Sequence, residues 1–340
     1  MKNLTKNVTK KAAPSFRLTQ RPRRNRTSAA VRSLVRETIV VPGDLIYPLF
    51  VMEGKNKRAP ISSMKGQSRQ TIDKILETCK ECADLGISGV ALFPVISDSK
   101  KDKYARESAN PKGLLQETIA LIKAKVPSIA VIGDVAMDPY STDGHDGLVE
   151  GDEIVNDETL PILAAMSIAQ ARAGADFIAP SDMMDGRIGY LRRALDDAGF
   201  QKCGIISYAA KYASSFYGPF REALDSAPRS GDKKTYQMDF SNKREALLEI
   251  LLDVEQGADV IMIKPALAYL DVIAAARARV SLPIAAYQVS GEFAMIHAAA
   301  DRGWIDADQA MTETLTSIKR AGADMILTYF ALDMARKLAK

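Results

Sequence analysis

The chain has 340 residues, of which 47% are hydrophobic and 26% charged, with a formal net charge of +4. A chain of this length can bury a large core, and no apolar run approaches the roughly 20 residues that span a bilayer, so we expect no membrane partner. The three cysteines are too few, and odd in number, for a disulfide framework. These features predict a cytoplasmic protein with one large domain.

Residues 1–36 are strongly basic, with eleven lysines and arginines and no acidic residue, whereas the remainder holds 35 basic and 42 acidic residues. This segment allows three interpretations: nucleic-acid binding, an organelle transit segment, or an arm that lies against the acidic body of a neighbouring subunit. The charge asymmetry favours the arm over nucleic-acid binding, and a targeting segment stays open. We therefore divide the chain into a basic oligomerisation arm, residues 1–36, and a catalytic domain, residues 37–340.

Eight apolar, strand-like runs alternate with helical patterns from residue 45 onward. The runs lie at 45–51, 89–95, 129–135, 177–181, 204–208, 260–264, 284–289 and 325–329. Helical spacing is found between them, at Leu247, Ile250, Leu251 and Val254 and at Met311, Leu315 and Ile318. This order predicts an α/β fold, a (β/α)8 TIM barrel with an extended N-terminal arm. A doubly wound sheet is the rival, but the sequence lacks its glycine-rich nucleotide loop.

A Gly-Ala-Asp frame occurs three times, at residues 174–176, 257–259 and 322–324, each time between a helical pattern and an apolar run. Its glycine suits the left-handed conformation of a helix C-terminus, so the frame predicts an αβ turn. The fifth residue after each aspartate is Ser181, Lys264 or Tyr329. Because equivalent strands place equivalent residues on one face, we expect these three side chains to converge.

Two lysines are candidates for covalent chemistry, since Lys211 follows the fifth run and Lys264 ends the sixth. A barrel has its active site at these strand ends. Two neighbouring lysines disfavour each other's charge, and burial lowers an amine pKa further, so that one of them can attack a carbonyl and form a Schiff base. Taken alone, a lysine at a strand end can equally extend into water.

Other charged side chains suit an anionic substrate or a cation. Arg221 and Lys233 lie in the long segment after the fifth run, where they could neutralise a carboxylate. Asp134, Asp138 and Asp146 lie at or after the end of the third run. Their oxygens could hold Mg²⁺, act as general bases or organise hydrogen bonds, and spacing alone does not choose among these roles.

Five segments together resemble the porphobilinogen synthase family, also called δ-aminolevulinic acid dehydratase. They are residues 134–140, 179–187, 211–221, 260–265 and 287–292. The resemblance runs from about Arg21 to the C-terminus. It implies a (β/α)8 barrel with an N-terminal arm, a homo-octamer of arm-hugging dimers, and a lyase that condenses two 5-aminolevulinate molecules per site to porphobilinogen, with loss of two waters, in haem and tetrapyrrole synthesis.

The resemblance also implies roles for individual residues. Lys264 and Lys211 would each form a Schiff base with one substrate molecule, and Arg221 and Lys233 would hold the carboxylate of the substrate on Lys211. The family often has arginine where this chain has Lys233. The lysine ammonium is a compact charge and cannot form the two parallel hydrogen bonds that an arginine guanidinium makes to a carboxylate.

The remaining implied substrate contacts lie at four other strand ends. Ser290 and Tyr329 would hold the carboxylate of the substrate on Lys264. Ser181 and Asp182 would line the site, and Asp134 would lie near the amino groups.

The metal sites implied by the resemblance depend on an aspartate-rich loop. Zinc-dependent members have three cysteines where this chain has Ala136, Asp138 and Asp146, so no zinc is expected. An active-site Mg²⁺ or K⁺ near Asp138 and Asp146 remains one expectation, and the absence of any metal there is another. Glu245 matches the glutamate that holds an allosteric Mg²⁺, although a glutamate in the first turn of a helix is also a plain dipole partner.

Two alternatives to this function are an aldolase-like enzyme and a non-enzymatic protein. A class I aldolase-like Schiff-base barrel would also use a lysine, but two lysines and paired carboxylate-binding groups fit two small keto acids better. A non-enzymatic RNA-binding or scaffold protein would need an aromatic platform or basic face that the body lacks, so no nucleic-acid partner is expected.

Overall fold

The computed structural model describes residues 18–224, 229 and 231–339. Residues 1–17 of the predicted arm, and residues 225–228 and 230 after the fifth run, lie outside the described residues. By its internal packing the chain divides into two compact units, Met1–Ile39 and Val40–Lys340.

The described part of the first unit is short and has little core of its own. It contains a 3₁₀ turn, Pro22–Arg26, and helix α1, Ala29–Leu34, neither of which has a buried residue. Ser28 caps α1, because its hydroxyl accepts a hydrogen bond from the Val31 N–H at 3.2 Å. Leu34 at the end of α1 is 84% exposed.

The second unit is a closed barrel of parallel strands. The strands are β1 (Leu45–Met52), β2 (Gly89–Val95), β3 (Ala130–Val135), β4 (Phe177–Pro180), β5 (Gly204–Lys211), β6 (Val260–Lys264), β7 (Ile284–Gln288) and β8 (Met325–Thr328). Neighbours in the chain are neighbours in the sheet, and β8 pairs with β1 to close it. The prediction of a (β/α)8 barrel is confirmed, and each predicted run overlaps one of these strands.

Helices connect and flank the strands. They are α2 (Ile72–Asp84), α3 (Leu114–Lys125), α4 (Thr159–Ala173), α5 (Arg187–Asp197), α6 (Gly218–Leu224), α7 (Arg244–Glu255), α8 (Leu270–Arg277), α9 (Ser290–Ala300), α10 (Ala307–Ala321) and α11 (Ala331–Leu338). Cys79 and Cys82 are buried free thiols on the core face of α2. No helix among the described residues is long and apolar enough to span a membrane, and the cytoplasmic location remains a prediction.

The three Gly-Ala-Asp frames form equivalent turns. Gly174, Gly257 and Gly322 have φ of +104°, +100° and +124°, the left-handed region expected at a helix end. Each aspartate then accepts a hydrogen bond from the first or second residue of the preceding barrel strand. These pairs are Asp176 with Val131 N (2.7 Å), Asp259 with Ile205 N (2.7 Å) and Asp324 with Ile284 N (2.8 Å). The repeat therefore sets the register of successive strands at the N-terminal end of the barrel.

The structure differs from the sequence prediction in three places. Four short strands lie outside the predicted runs: Arg58–Pro60, Ser68–Gln70, Leu148–Glu150 and Glu153–Val155. β5 continues three residues beyond its predicted end, to Lys211. The predicted apolar face of α7 is partly wrong, since Leu251 is 43% exposed and the buried face instead includes Asp253, which pairs with Arg187 inside the protein.

Candidate active site

A cavity opens at the C-terminal ends of the barrel strands and encloses about 450 Å³ of space not filled by atoms. Its lining consists of Phe93, Asp134, Asp138, Asp146, Ser181, Lys211, Tyr217, Phe220, Arg221, Lys233, Gln237 and Lys264. Eight of these residues were singled out from the sequence. Charged side chains of both signs thus surround a small, largely buried space.

The two lysines lie side by side. Lys211 is the last residue of β5, Lys264 is the last residue of β6, and they are direct partners in the sheet. Both are nearly buried, with 5% and 6% of their surface exposed. The Tyr212 N–H donates to the Lys264 carbonyl at 3.0 Å, so the strand pairing continues just beyond the lysines.

Oxygen atoms surround the Lys211 ammonium. Its Nζ lies 3.0 Å from Asp146 Oδ2 and also donates to the carbonyl oxygen of Ser181. Burial alone would raise the pKa of Asp146, but the ammonium groups of Lys211 and Lys233 outweigh burial and hold that pKa well below its usual range. A charged pair is therefore stable here in the resting protein.

Lys233 belongs to the same charge cluster. Its Nζ lies 2.7 Å from Asp146 Oδ1 and 3.2 Å from Asp138 Oδ2. Although burial opposes the charge, these two carboxylates raise the lysine pKa above its ordinary value. Lys233 thus contacts the aspartates directly, which the sequence analysis did not foresee, while Arg221 lines the cavity.

This cluster bears on the expected active-site cation. Asp138 and Asp146 already contact two ammonium groups, so their negative charge is compensated by the chain itself. Among the residues that the structure describes, no three His, Cys, Asp or Glu side chains are grouped so as to hold a metal ion. As arranged, this donor set does not fit Mg²⁺, which prefers several oxygen ligands in regular geometry.

Aromatic rings surround the Lys264 amine. Its Nζ lies 4.7 Å from the ring centre of Tyr287, 5.1 Å from those of Tyr208 and Phe220, and 5.2 Å from that of Tyr217. Burial lowers the pKa of Lys264 to about 7, and the positive charge of Lys211 adds to the effect. A substantial fraction of this amine is consequently neutral, and nucleophilic, at physiological pH.

Asp134 is the carboxylate poised for proton transfer. Burial, reinforced by the charge of Asp138, raises its pKa to about 7, while Lys264 and the Ser181 hydroxyl oppose that rise. One of its oxygens is buried without a hydrogen-bond partner. An acid with these properties can exchange a proton with a ligand near neutrality.

Ser290 and Tyr329 lie behind the cavity wall on the Lys264 side. The Ser290 hydroxyl accepts a hydrogen bond from the Phe220 N–H at 3.0 Å. The Tyr329 hydroxyl lies 3.0 Å from the hydroxyl of Tyr287, whose ring contacts Lys264. Both residues therefore reach the site through aromatic neighbours, and the predicted convergence places Ser181 and Lys264 in the wall with Tyr329 one layer behind.

Asp182 does not line the cavity, contrary to expectation. It follows Ser181, and its buried carboxylate accepts from the Met184 N–H at 2.7 Å and lies 3.7 Å from Arg187 Nε. Burial raises its pKa to about 6. Ser181 therefore lines the cavity, whereas the Asp182 carboxylate is directed to Met184 and Arg187.

Glu292, in the first turn of α9, joins two loops at the barrel mouth. Its carboxylate accepts from the Leu267 N–H and the Val289 N–H, each at 2.7 Å. Leu267 follows Lys264 by three residues and Val289 precedes Ser290, so this fully buried carboxylate fixes the loop after β6 against the loop after β7.

Glu245 occupies a different cleft. It lies in the first turn of α7, where its carboxylate accepts from Asn242 Nδ2 at 2.7 Å. Asp185, Asp239 and Glu249 line the same cleft. Burial raises the pKa of Glu249, and negative neighbours contribute, so this is a region of concentrated negative charge.

Sequence reasoning missed Tyr208 and Tyr287, two of the four rings around Lys264. Tyr208 ends the fifth predicted run and Tyr287 lies inside the seventh, but tyrosine within a strand is ordinarily a core residue. Both are 1% exposed. Their spacing of three residues before Lys211 and Ser290 was the available signal, although simple strand alternation places such residues on opposite faces.

Known proteins resemble this chain closely. The family model described as Delta-aminolevulinic acid dehydratase matches residues 19–337. A relative from Bradyrhizobium diazoefficiens with that description is 48% identical over 328 residues, which cover 96% of this chain and 93% of the relative. A chloroplastic one from Glycine max is 53% identical over 96% of this chain and 79% of its own length.

A solved structure agrees with these relatives. The enzyme of Toxoplasma gondii ME49, described as delta-aminolevulinic acid dehydratase (porphobilinogen synthase) in complex with the reaction product porphobilinogen, superposes with a TM-score of 0.92. Its sequence is 49% identical, and the match covers 94% of this chain and 92% of that one.

Proposed function

The chain belongs to the delta-aminolevulinic acid dehydratase family, and from this membership we propose how its residues divide the work of the family's reaction. The protein is a lyase that condenses two molecules of 5-aminolevulinate to porphobilinogen with loss of two waters, in tetrapyrrole and haem synthesis. Membership in the family displaces the aldolase-like and non-enzymatic alternatives.

We propose that Lys264 and Lys211 each bind one substrate molecule as a Schiff base. The observation that carries this proposal is the pairing of two buried amines at neighbouring strand ends, one with its pKa lowered to about 7. The neutral Lys264 amine attacks a ketone, and loss of water leaves an iminium that withdraws electrons from the adjacent carbon. Lys211 then forms the second Schiff base with the other substrate molecule.

The two substrate carboxylates are assigned to different sides of the site. Arg221, in the cavity wall, is suited to hold the substrate on Lys211, since a guanidinium can bind a carboxylate through two parallel hydrogen bonds. Lys233 joins it when a substrate carboxylate competes with Asp138 and Asp146. The hydroxyls of Ser290 and Tyr329 hold the carboxylate of the substrate on Lys264. To do so, they give up their present hydrogen bonds with the Phe220 N–H and the Tyr287 hydroxyl.

Asp134 and Ser181 complete the proposed substrate contacts. Both line the cavity, and the Ser181 side chain opposes the rise in the pKa of Asp134. Asp134, with a pKa near 7, accepts or donates the protons that the amino groups and leaving waters exchange. Asp182 is assigned a supporting position behind Ser181.

The metal assignments concern a site apart from the reacting amines. We propose that Glu245, which shares an acidic cleft with Asp185 and Glu249, contributes a carboxylate ligand to an allosteric Mg²⁺ site, because Mg²⁺ binds proteins through one or two carboxylates and completes its coordination with water. Zinc has no role, since Ala136, Asp138 and Asp146 offer no sulfur.

Activity should survive a zinc-selective chelator and rise with Mg²⁺, and Glu245→Gln should weaken the Mg²⁺ response. Zinc-dependent recovery of stripped enzyme would contradict this assignment.

We also propose a homo-octamer in which the arm, residues 1–36, contacts a neighbouring subunit. Its described part exposes Leu34 and Val35 by 84% and 47%, and its charge opposes that of the acidic body. Sedimentation should detect a smaller assembly when residues 1–36 are deleted. An unchanged octamer would show that the arm does not hold the subunits together.

Borohydride trapping tests the central assignment. Borohydride adds hydride to an iminium and converts it to a stable secondary amine, so incubation with 5-aminolevulinate should leave a covalent adduct on Lys264, located by mass spectrometry. The same preparation should form porphobilinogen. If porphobilinogen forms while Lys264 stays unmodified, another group carries the Schiff base.

A further inference from the structure

Tyr208 is the one ring among the described residues that faces both reactive lysines. Its centre lies 5.1 Å from Lys264 Nζ and 5.9 Å from Lys211 Nζ. The tyrosine is 1% exposed, and its carbonyl oxygen accepts a hydrogen bond from the buried Arg187 at 3.2 Å. Arg187 thus anchors the backbone of the residue whose ring contacts both amines.

A β-bulge explains how Tyr208 comes to share a side with Lys211. Between the pairs Ile261–Ser207 and Ile263–Ala210, β5 has one residue more than β6. An extra residue shifts the alternation of side chains, so residues three apart on β5 face the same way. Bulges often re-aim a side chain beside an active site, and here the re-aimed side chain is an aromatic ring.

The electrostatic surroundings of Lys264 lack an anion in direct contact. Within residues 18–224, 229 and 231–339, no hydrogen bond or ion pair is formed by its Nζ, whereas Lys211 contacts Asp146 at 3.0 Å. A cation buried without a counterion is costly unless something else stabilises it. The faces of aromatic rings, which carry negative partial charge, are what the protein provides around Lys264.

We propose that Tyr208 is a catalytic residue whose ring face stabilises the iminium cation on Lys264. This inference rests on the Schiff-base function proposed above. The amine forms a bond to the ketone carbon, and the carbon–oxygen bond then breaks. The departing water carries one proton from the amine and one from an acid such as Asp134. The nitrogen keeps one hydrogen and a positive charge, which lies near the ring.

A ring suits this step better than a carboxylate would. A carboxylate beside Lys264 would bind the compact ammonium by short hydrogen bonds and hold the amine protonated, hence unreactive. An iminium has a single N–H and a more diffuse charge, and aromatic cages are the usual protein sites for diffuse cations such as quaternary ammonium groups. The cage therefore favours the iminium without keeping the free amine charged.

The ring, and not the hydroxyl, is the active part of Tyr208. Burial raises the pKa of this tyrosine well above its ordinary value, so the side chain stays neutral. Tyr208→Phe should consequently retain most of the activity, whereas a variant without the ring should lose the effect. Because removing a buried ring can also disturb folding, the decisive variants keep the ring and change only its electrons.

The test is a series of fluorinated phenylalanines at position 208, from phenylalanine to 3,4,5-trifluorophenylalanine. Each fluorine withdraws electron density from the ring face with little change in volume. Single-turnover porphobilinogen formation and the borohydride-trapped fraction on Lys264 should both fall steadily, by about tenfold across the series. The same series at Phe177, at the opposite end of the barrel, should have no effect.

The outcomes separate this inference from the function beneath it. Equal rates and equal trapping across the position-208 series would overturn the role of the ring, while trapping on Lys264 in the unmodified protein would still support the Schiff base. An unmodified protein that forms porphobilinogen without an adduct on Lys264 would overturn the Schiff-base assignment itself, and the inference with it.

Discussion

Lys211 and Lys264 are the same residue type, at the same height on adjacent strands, yet their surroundings are opposite in kind. Lys211 is held by the carboxylate of Asp146 and the carbonyl of Ser181. Lys264 is enclosed by four aromatic rings. Oxygen atoms bind the first amine directly, whereas burial and the charge of Lys211 lower the pKa of the second to about 7.

This difference shows how a barrel gives two residues of the same type different chemical properties. The charge of Lys211 is itself a cause of the lowered pKa of Lys264, second to burial. The positive charge on one strand thus helps to prepare the nucleophile on the next. An account based on the lysines alone, without their neighbours, would assign them equal reactivity.

Replacement of either lysine should give the largest effect. Lys264→Met should lower porphobilinogen formation by about 10⁴-fold or more, since the covalent route is lost. Lys211→Met should also be nearly inactive but should still trap substrate on Lys264. A Lys264→Met enzyme that retains ordinary turnover would contradict the assignment of the covalent route to Lys264.

Removal of the carboxylate beside Lys211 should act mainly on stability. Asp146→Asn leaves two buried ammonium groups with one partner fewer, which should lower the free energy of unfolding by about 3–5 kcal/mol at pH 7. Because the folded protein lowers the pKa of Asp146, its contribution is present above the unfolded value of about 4 and is lost as pH falls through the lower folded value.

Denaturant unfolding across pH checks this expectation. The gap between the parent and Asp146→Asn should narrow as pH drops below about 4. Glu77→Gln, which alters exposed pairs with Arg58 and Lys74, is the matched control and should change stability by about 1 kcal/mol or less. If both variants lowered the free energy of unfolding by similar amounts, the buried cluster would contribute no more to stability than an exposed ion pair.

Arg221→Met should separate the two substrate positions. Loss of a charge-assisted contact costs about 1.5–3 kcal/mol, so KM should rise by about 10- to 100-fold while trapping of the first substrate on Lys264 persists. Arg58→Met, at an exposed ion pair, serves as control. If trapping on Lys264 fell as much as turnover, Arg221 would belong to the Lys264 side.

The smallest predicted effect concerns pH. Lys211→Met removes a positive charge that lowers the pKa of Lys264, so the pH midpoint for adduct formation on Lys264 should move above about 7. Asp134, Asp138 and Asp146 also act on this amine, in the opposite direction. An unchanged or lower midpoint would indicate that the two amines do not interact.

Much of this site follows from sequence because it is tied to regular structure. The Gly-Ala-Asp frames occupy equivalent turns, so strand ends, and with them Lys264 and Ser181, could be located by counting. The barrel then placed Lys211 beside Lys264. Period-two alternation and strand order were sufficient for these predictions.

What could not be predicted depends on departures from regularity and on partner choice. The bulge in β5 that brings Tyr208 beside Lys211 has no signature in the local sequence. The pairing of Lys233 with Asp138 and Asp146 joins two long loops whose relative path is fixed only by the folded chain. Likewise, Asp253 on α7 is buried because Arg187 lies opposite it, and helical spacing alone pointed to Leu251 instead.

The most direct test of this account is the pH dependence of borohydride trapping on Lys264 in the unaltered protein, measured by mass spectrometry at saturating 5-aminolevulinate. The adduct should rise with increasing pH through a midpoint near 7, because the neutral amine is the reactive form. A midpoint near 10.5, the ordinary value for lysine, would contradict the claim that burial and Lys211 prepare this amine for attack.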